Sequence, residues 1–209
     1  MGITAATMRG WFAGQTFLGP AGRQPYGKYV ENTLSTLALV WAHTLRYGTV
    51  LHAGGHLGLM SLALATQFAH VHVIEAATDN YAWLTANIAG HPQIHATYGA
   101  LGDGEPVTLV RHKYSACHHA QGPGEVPCYR IDDLVTAPLD VLLLDLEGGE
   151  LVALHHAMNT LRRWHPLLIV EEVPKCLARY GRQPGEVTQF VAALGYRQVG
   201  ASSLDLAFA

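Results

Sequence analysis

Charge is scarce in this sequence, and no stretch of it collects charges of one sign. Only 14% of the 209 residues are charged, and the formal net charge is -3. Domains that bind nucleic acid usually concentrate lysine and arginine on one face or along one segment, so a nucleic-acid partner is not expected. Apolar residues make up 49% of the chain, which indicates a globular fold, and the length suits one domain over residues 1–209.

Long apolar runs and closely spaced cysteines are also lacking. The most apolar early segment, residues 34–45, is broken by Ser, Thr and His and is too short to span a bilayer. A membrane partner is therefore not expected. The three cysteines include no short-spaced pair, and the N-terminus has no basic region followed by an apolar run. These features favour a cytoplasmic protein with reduced thiols.

What the sequence does contain is a regular alternation of strand-like and helix-like segments. Helices are predicted over 30–45, 61–68, 81–88 (with Asp79 or Asn80 as N-cap), 151–163 and 187–194. Strands are predicted at 50–51, 71–74, 94–98, 106–111, 141–144, 167–170, 196–199 and 204–208. Such alternation predicts an α/β fold with a mostly parallel central sheet, helices on both faces and an antiparallel strand near the C-terminus. Residues 1–29, rich in Gly, Pro and Gln, predict a loose lead-in. Packing against the sheet is favoured for its aromatic side chains, although they could also form a lid over the site: Trp11, Phe12, Phe17, Tyr26 and Tyr29.

A glycine-rich segment, His52–Gly58, lies between the first strand and the following helix. Gly54, Gly55 and Gly58 would permit positive φ and a close approach of the backbone to a ligand. Glu75 ends the next strand, where a carboxylate can accept both hydroxyls of a ribose. This pattern serves dinucleotides and S-adenosylmethionine (SAM) equally well, and a simple tight turn would also use glycines. The loop alone does not choose among them.

A second group of motifs is more specific. The segments "HAGGHLG", "VIEAATDNYAWLTANI", "CYRIDDL", "PLDVLLLDLEGGE" and "HPLLIVEE" occur in this order along the chain. Together they resemble the FkbM family of SAM-dependent methyltransferases, from about Tyr26 to Gly200. The family's loop corresponds to His52–Gly58, its strand-end acid to Glu75 and its Leu-Asp-Asp segment to Ile131–Asp133. Its Asp-x-Glu-Gly-x-Glu signature corresponds to Asp145–Glu150, and its Pro…Glu strand corresponds to Pro166–Glu171. The Asp-x-Glu-Gly-x-Glu signature is the most specific of these.

The resemblance implies a Rossmann-like class I methyltransferase that transfers a methyl group from SAM to a hydroxyl, on a sugar or another small metabolite. It implies that the cofactor contacts His52, Gly54, Gly55, His56, Gly58, Glu75, Ala76, Ala100, Asp103 and Asp145. Asp145, Glu147 and Glu171 are the candidates for catalysis, because a hydroxyl nucleophile needs a base within hydrogen-bond reach. Glu150 would either take part in the chemistry or cap the next helix.

The segment 112–128 falls where methyltransferases of this class insert acceptor-binding residues. Its composition predicts an irregular loop. It contains residue types that bind zinc, namely His112, Cys117, His118, His119 and Cys128. Their spacing fits no compact zinc motif, so contact with the acceptor, or a plain surface loop, is favoured and no metal is predicted.

Three residues depart from the family pattern. His52 stands where the family has Asp, His56 where it has an Asn-like residue, and Ala76 where it often has Pro. A charged histidine would repel the cationic cofactor, whereas a neutral one could still accept or donate a hydrogen bond. Two alternatives therefore stay open: a catalytically impaired binding module with the same fold, and an NAD-dependent oxidoreductase that uses the same loop.

Overall fold

The computed structural model describes residues 16–20 and 24–209. The helices are α1 Tyr26–His43, α2 Leu59–Leu64, α3 Thr78–Ile88, α4 Ile131–Leu134, α5 Glu150–His155, α6 Met158–Trp164, α7 Pro174–Leu177 and α8 Glu186–Ala192. The strands are β1 Thr49–Ala53, β2 His70–Glu75, β3 Ile94–Tyr98, β4 Ala100–Leu101, β5 Val107–Val110, β6 His119–Pro123, β7 Cys128–Tyr129, β8 Val141–Leu144, β9 Leu167–Glu171, β10 Gln198–Ala201 and β11 Asp205–Phe208. Two 3-10 turns lie at Ser115–Cys117 and Ala178–Tyr180.

A seven-stranded sheet in the order β10-β11-β9-β8-β1-β2-β3 forms the centre of the fold. Strands β3, β2, β1, β8 and β9 pair in parallel, and β11 runs antiparallel to both β9 and β10. The predicted α/β class, with a mostly parallel sheet and a C-terminal antiparallel strand, is confirmed. All parallel strands end at the same edge, so the residues that follow β1, β2, β3, β8 and β9 meet there.

Helices cover both faces of this sheet, which explains the continuous apolar runs of its central strands. Every residue of β8 and β9 is buried, as expected for strands packed on two sides. One apolar cluster packs α1, α2 and α3 against the sheet. A second cluster packs α4, α5, α6 and α8 against the opposite face.

The N-terminal boundary of α1 differs from the prediction. The helix begins at Tyr26, so the predicted lead-in is wrong for residues 26–29; Trp11 and Phe12 lie outside the described residues. Pro25 directly precedes the helix, where a missing N–H costs nothing because the first helical N–H groups have no partner within the helix. The helix ends at His43, two residues before the predicted end.

Two other predicted helices need correction. Helix α3 starts at Thr78 with Ala77 as its N-cap, so Asp79 and Asn80 lie inside its first turn, where Asn80 Nδ2 donates to the Ser115 carbonyl at 2.9 Å. The predicted helix over 151–163 is two helices, since Asp132 accepts hydrogen bonds from the N–H groups of Asn159 (3.0 Å) and Thr160 (2.8 Å) and so starts α6 separately.

The segment 112–128 is more ordered than its composition predicts. It contains β6, which pairs antiparallel with β5 outside the central sheet, and β7, which pairs with β4. Alternation of apolar residues is weak in these short strands, so their pairing was not visible in the sequence. Within the described part of the chain, no helix is long and apolar enough to cross a membrane.

Candidate active site

A cavity of about 640 Å³ opens at the edge of the sheet where the parallel strands end. Of the residues predicted to form the site, all but Gly58 line it, and these are His52, Gly54, Gly55, His56, Glu75, Ala76, Ala100, Asp103, Asp145, Glu147 and Glu171. Gly58 is set back at the start of α2, with φ 88°, and a Cβ there would lie 2.9 Å from Leu84. Residues that are far apart in sequence thus form one site.

Gly54 is a residue of the loop that no other amino acid can replace without strain. Its φ is 91°, a conformation that residues with a Cβ rarely adopt. A Cβ at Gly54 would also collide with the backbone carbonyl of Asp145. The Gly54 and Gly55 N–H groups both donate to the Ile74 carbonyl, at 3.1 and 2.9 Å. The glycine loop is therefore held between the ends of β2 and β8.

Glu75 is buried at the end of β2 and organises the loop around it. Its two carboxylate oxygens accept hydrogen bonds from the backbone N–H groups of His56, at 2.7 Å, and Ala77, at 2.8 Å. Burial raises the pKa of Glu75 to about 7, although these two hydrogen bonds oppose the shift. A carboxylate offers about four lone-pair sites, so Glu75 retains capacity to accept hydrogen bonds from a ligand.

His52, the main departure from the family pattern, is neutral. Its side chain is buried on β1, and Nδ1 lies 2.9 Å from the hydroxyl of Ser61, which is also buried. Burial lowers the pKa of His52 to about 4, so it carries no charge at neutral pH. A neutral His52 does not repel a cationic cofactor. Its hydrogen bond is made with the Ser61 side chain of α2 and not with a backbone N–H group.

We expect His52→Ala to lower the free energy of unfolding by about 2–4 kcal/mol, because it opens a cavity and leaves the Ser61 hydroxyl without its partner. Chemical denaturation would measure the change. The matched control is His91→Ala, an exposed residue in the turn before β3, which should change stability by less than about 0.5 kcal/mol. Equal effects of the two substitutions would contradict the role given to His52.

His56 connects the loop to the roof of the cavity. Its Nε2 lies 2.8 Å from the Ser115 hydroxyl, and its ring packs edge-on against Tyr29 of α1 with centroids 4.9 Å apart. Gln24 accepts hydrogen bonds from the Tyr29 hydroxyl at 3.1 Å and from the Ser115 N–H group at 3.3 Å. The start of α1 and the 3-10 turn after β5 thus cover the site together.

The segment Gly99–Asp103, which follows β3, forms another side of the cavity. The Ala100 N–H group donates to the Pro127 carbonyl at 2.8 Å, and β4 pairs with β7. Asp103 is exposed, and its Oδ1 accepts a hydrogen bond from the Glu105 N–H group at 2.9 Å. This segment lies beside the Glu75 end of the cavity, because the Gly99 N–H group donates to the Glu75 carbonyl at 2.9 Å.

Asp145 follows β8 directly and is exposed in the cavity. Protein atoms surround it on its other sides, and this desolvation raises the pKa of Asp145 well above its ordinary value. The nearby charges of Glu147, Asp205, Glu150 and Glu75 act in the same direction. The position predicted for catalysis thus presents a carboxylate to the cavity from the end of a central strand.

The three glutamates near Asp145 have different environments. Glu147 has φ 56° and pairs with Arg179, whose Nη1 lies 2.8 Å from Glu147 Oε2. Glu150 is fully buried, and its Oε1 accepts hydrogen bonds from the N–H groups of Leu146 (2.7 Å) and Gly148 (3.2 Å). Glu150 therefore braces the turn before α5, and no side chain makes a capping hydrogen bond at the start of that helix. Glu171 is buried at the end of β9 and lines the cavity.

Two cavity-lining residues were missed in the sequence. Asp205 on β11 is paired in register with Glu171, and it accepts hydrogen bonds from the hydroxyls of Thr36, at 2.7 Å, and Ser202, at 2.8 Å. Thr36 lies on α1, 169 residues away in the chain. An acidic residue within the apolar strand Leu204–Phe208 was the available signal for Asp205, whereas Thr36 had none.

The sequence matches the Methyltransferase FkbM domain over residues 52–198. This chain belongs to the FkbM methyltransferase family. The match covers the glycine loop, Glu75, the Asp145–Glu150 signature and Glu171, so the suspected resemblance is confirmed. Membership in this family favours methyl transfer over the NAD-dependent alternative. No relative was found among curated proteins.

Solved structures of methyltransferases share the fold of this FkbM-family chain. An FkbM methyltransferase from Methylobacillus flagellatus KT has a TM-score of 0.54 and 20% identity, over 79% of this chain and 45% of that one. The N-methyltransferase NodS from Bradyrhizobium japonicum WM9, in complex with S-adenosyl-L-homocysteine (SAH), has a TM-score of 0.55 and 12% identity, over 88% of this chain and 87% of NodS. A TehB-like SAM-dependent methyltransferase from Corynebacterium glutamicum has a TM-score of 0.52 and 12% identity, over 88% of this chain and 94% of that protein.

These similarities establish the Rossmann-like class I methyltransferase fold. This chain spans less than half the length of the Methylobacillus relative. The acceptor of that protein and those of the other neighbours are properties of those proteins. What this chain binds must be argued from its own cavity.

Proposed function

We propose that this FkbM-family chain binds SAM in the cavity at the sheet edge and methylates a hydroxyl oxygen on a sugar or another small metabolite. One observation carries the proposal. The glycine loop with Glu75, at the end of β2, and Asp145, at the end of β8, line a single cavity. The cavity would thus bring a cofactor-binding half together with a proton acceptor, as methyl transfer to a hydroxyl requires.

The cofactor half would consist of the loop Gly54–His56, Glu75 and the segment Ala100–Asp103. Glu75 would accept hydrogen bonds from the ribose hydroxyls with the lone pairs that His56 and Ala77 leave free. The acids around Asp145 give this end of the cavity negative potential, which favours a ligand with positively charged sulfonium and ammonium groups. SAH lacks the sulfonium charge, so the same acids favour exchange of product for substrate.

When bound, SAM supplies a methyl group on sulfur that is open to in-line displacement. Asp145 would hold the acceptor hydroxyl and take its proton as the new O–CH₃ bond forms and the CH₃–S bond breaks. Asp145 would thus keep the proton, and the electron pair of the broken CH₃–S bond would remain with the neutral product. Tyr29, His56 and Ser115 would exclude water from above, because they close the roof of the cavity.

The affinity for SAH should depend on pH through Glu75. The pKa of Glu75 is about 7 in the free protein, and ribose hydroxyls that donate to it favour the charged form. Binding therefore releases a proton below pH 7, and we expect affinity to fall by up to about tenfold per pH unit below that point and to level off above it. Calorimetric titration with SAM and SAH from pH 5.5 to 8 would measure this.

Two variants test whether Glu75 causes the pH dependence of SAH binding. Glu75→Gln should bind SAH more weakly and with little pH dependence, because it has no proton to release. His52→Asn should retain the pH dependence, since the pKa of His52, at about 4, lies below the tested range. If folded wild-type protein bound neither SAM nor SAH, the proposal would fail, and a binding module with the same fold would be the better account.

A further inference from the structure

Three side chains from separate segments converge beside Asp145. Glu147 follows β8, Glu171 ends β9 and Cys176 lies in α7. One carboxylate oxygen from each glutamate and the sulfur of Cys176 all lie within 4.8 Å of one another. In the described part of the chain, these are the only three His, Cys, Asp or Glu side chains with ligand atoms grouped this closely. The signature contains Glu147 and the Pro…Glu strand contains Glu171, whereas Cys176 lies outside the predicted site.

One buried carboxylate oxygen of this cluster has no hydrogen-bond partner among the described residues. Glu171 is only 8% exposed, and its Oε2 has no hydrogen-bond partner among the residues that the structure describes. A buried polar atom without a partner costs free energy, and such atoms are rare in folded proteins. A cation between Glu171, Glu147 and Cys176 would satisfy this oxygen.

The net charge of the cluster would also favour a bound cation. Arg179 neutralises one negative charge by its contact with Glu147 Oε2, at 2.8 Å, and the Cys176 thiol donates to the same oxygen at 3.1 Å. Two carboxylates and a Cys176 thiolate would carry three negative charges, of which two remain after Arg179 is counted. A divalent ion would balance them. The carboxylate of Glu147 has further lone pairs beyond those that Arg179 uses.

The donor atoms select the kind of ion. Magnesium and calcium prefer sites made of oxygen atoms alone, whereas zinc accepts thiolate sulfur together with carboxylate oxygen. Tetrahedral zinc, with ligand distances of about 2.0–2.3 Å, holds its ligand atoms roughly 3.5 Å apart. Side-chain rotations that displace the ligand atoms by about an ångström would bring the three atoms to that separation. Three protein ligands would leave one coordination position open, as in catalytic zinc sites.

We propose that Glu147, Glu171 and Cys176 form a zinc site on the acceptor side of the cavity. Glu147 and Glu171 line the cavity, so the open position is accessible to an acceptor hydroxyl or to water. A hydroxyl bound there would lose its proton more readily to a neighbouring carboxylate such as Asp145. The inference concerns metal binding by these residues and does not require that the chain bind SAM.

Cobalt(II) is the probe, because it enters zinc sites and gives a near-ultraviolet thiolate-to-cobalt absorption band. Metal-stripped full-length protein is titrated with Co²⁺, and Zn²⁺ is then added to displace it. We expect one equivalent of Co²⁺ to produce the band and Zn²⁺ to abolish it. Cys176→Ser should lose the band, and Glu171→Gln should weaken Co²⁺ binding at least about tenfold. Cys128→Ser, which alters a buried thiol on β7, should retain both.

Circular dichroism of each variant shows whether it is folded, and Glu171→Gln provides a second test if Cys176→Ser is not. Absence of the band in folded wild-type protein, or its persistence in Cys176→Ser, would overturn the zinc site. The same preparations are titrated with SAH. Normal SAH binding without Co²⁺ binding refutes the metal site alone, and Co²⁺ binding without SAH binding refutes the proposed cofactor alone.

Discussion

Asp145→Asn is expected to lower kcat for methyl transfer by about 10²–10⁴-fold, because the amide cannot take the proton of the acceptor hydroxyl. The amide keeps the size of the side chain but removes a charge that attracts the ammonium group of the cofactor, so the affinity for SAH should fall much less than kcat, by no more than about tenfold. SAH formation from SAM, measured with a panel of hydroxyl-bearing sugars and polyols, would identify a usable acceptor. The rates of wild-type and variant protein are then compared on that acceptor.

The matched control is Asp140→Asn, at the opposite end of the same polypeptide segment. Asp140 directly precedes β8, and its Oδ2 accepts hydrogen bonds from the N–H groups of Gly48 (2.9 Å) and Thr49 (3.0 Å). This variant removes a carboxylate that is remote from the cavity, so kcat should stay within about twofold of wild type. Similar losses of kcat in both variants would show that Asp145 acts on stability rather than on chemistry.

Gly54→Ala should have the largest effect on cofactor binding. The alanine would have to adopt φ 91°, and its Cβ would collide with the carbonyl of Asp145. The loop must then move away from β8, and we expect unfolding free energy to fall by about 2–4 kcal/mol. A displacement of about 1 Å can cost about 100-fold in a positioned site, so SAH affinity should fall by at least about 100-fold.

Gly90→Ala provides the comparison, because an added Cβ there meets no atom within 4 Å. Gly90 follows α3 and lies away from the sheet edge at which the parallel strands end. Its substitution should leave SAH affinity unchanged and alter unfolding free energy by less than about 1 kcal/mol. Calorimetry and chemical denaturation measure both quantities. Normal SAH binding by Gly54→Ala would contradict the proposed position of the cofactor at the loop.

The zinc site and the role of Asp145 can be examined together. If Co²⁺ binds to Glu147, Glu171 and Cys176, the ion lies beside the carboxylate that takes the proton. The acceptor hydroxyl would then be oriented by the ion and deprotonated by Asp145. Without the ion, the hydroxyl would be held by Asp145 and its carboxylate neighbours alone. Comparing methyl transfer by metal-stripped and Zn²⁺-loaded protein distinguishes these two arrangements.

The sequence by itself determined the order along the chain of the strands that form the central sheet, and it grouped several residues of the candidate site. Buried central strands must be apolar throughout, so Val141–Leu144 and Leu167–Val170 were recognisable. A tight turn with positive φ favours glycine, and residues at the ends of parallel strands must meet at one edge, so Gly54, Glu75 and Asp145 could be grouped before any coordinates were known. The family motifs depend on the same local constraints.

Only the tertiary structure decided the partners of these residues. The pairing of His52 with Ser61, of Arg179 with Glu147 and of Thr36 with Asp205 joins segments that no local pattern relates. The neutrality of His52 is likewise a consequence of burial, and burial is a property of the folded chain. Hydrogen bonds and charge states depend on distances in space, whereas sequence periodicity reports only which side of an element faces the core.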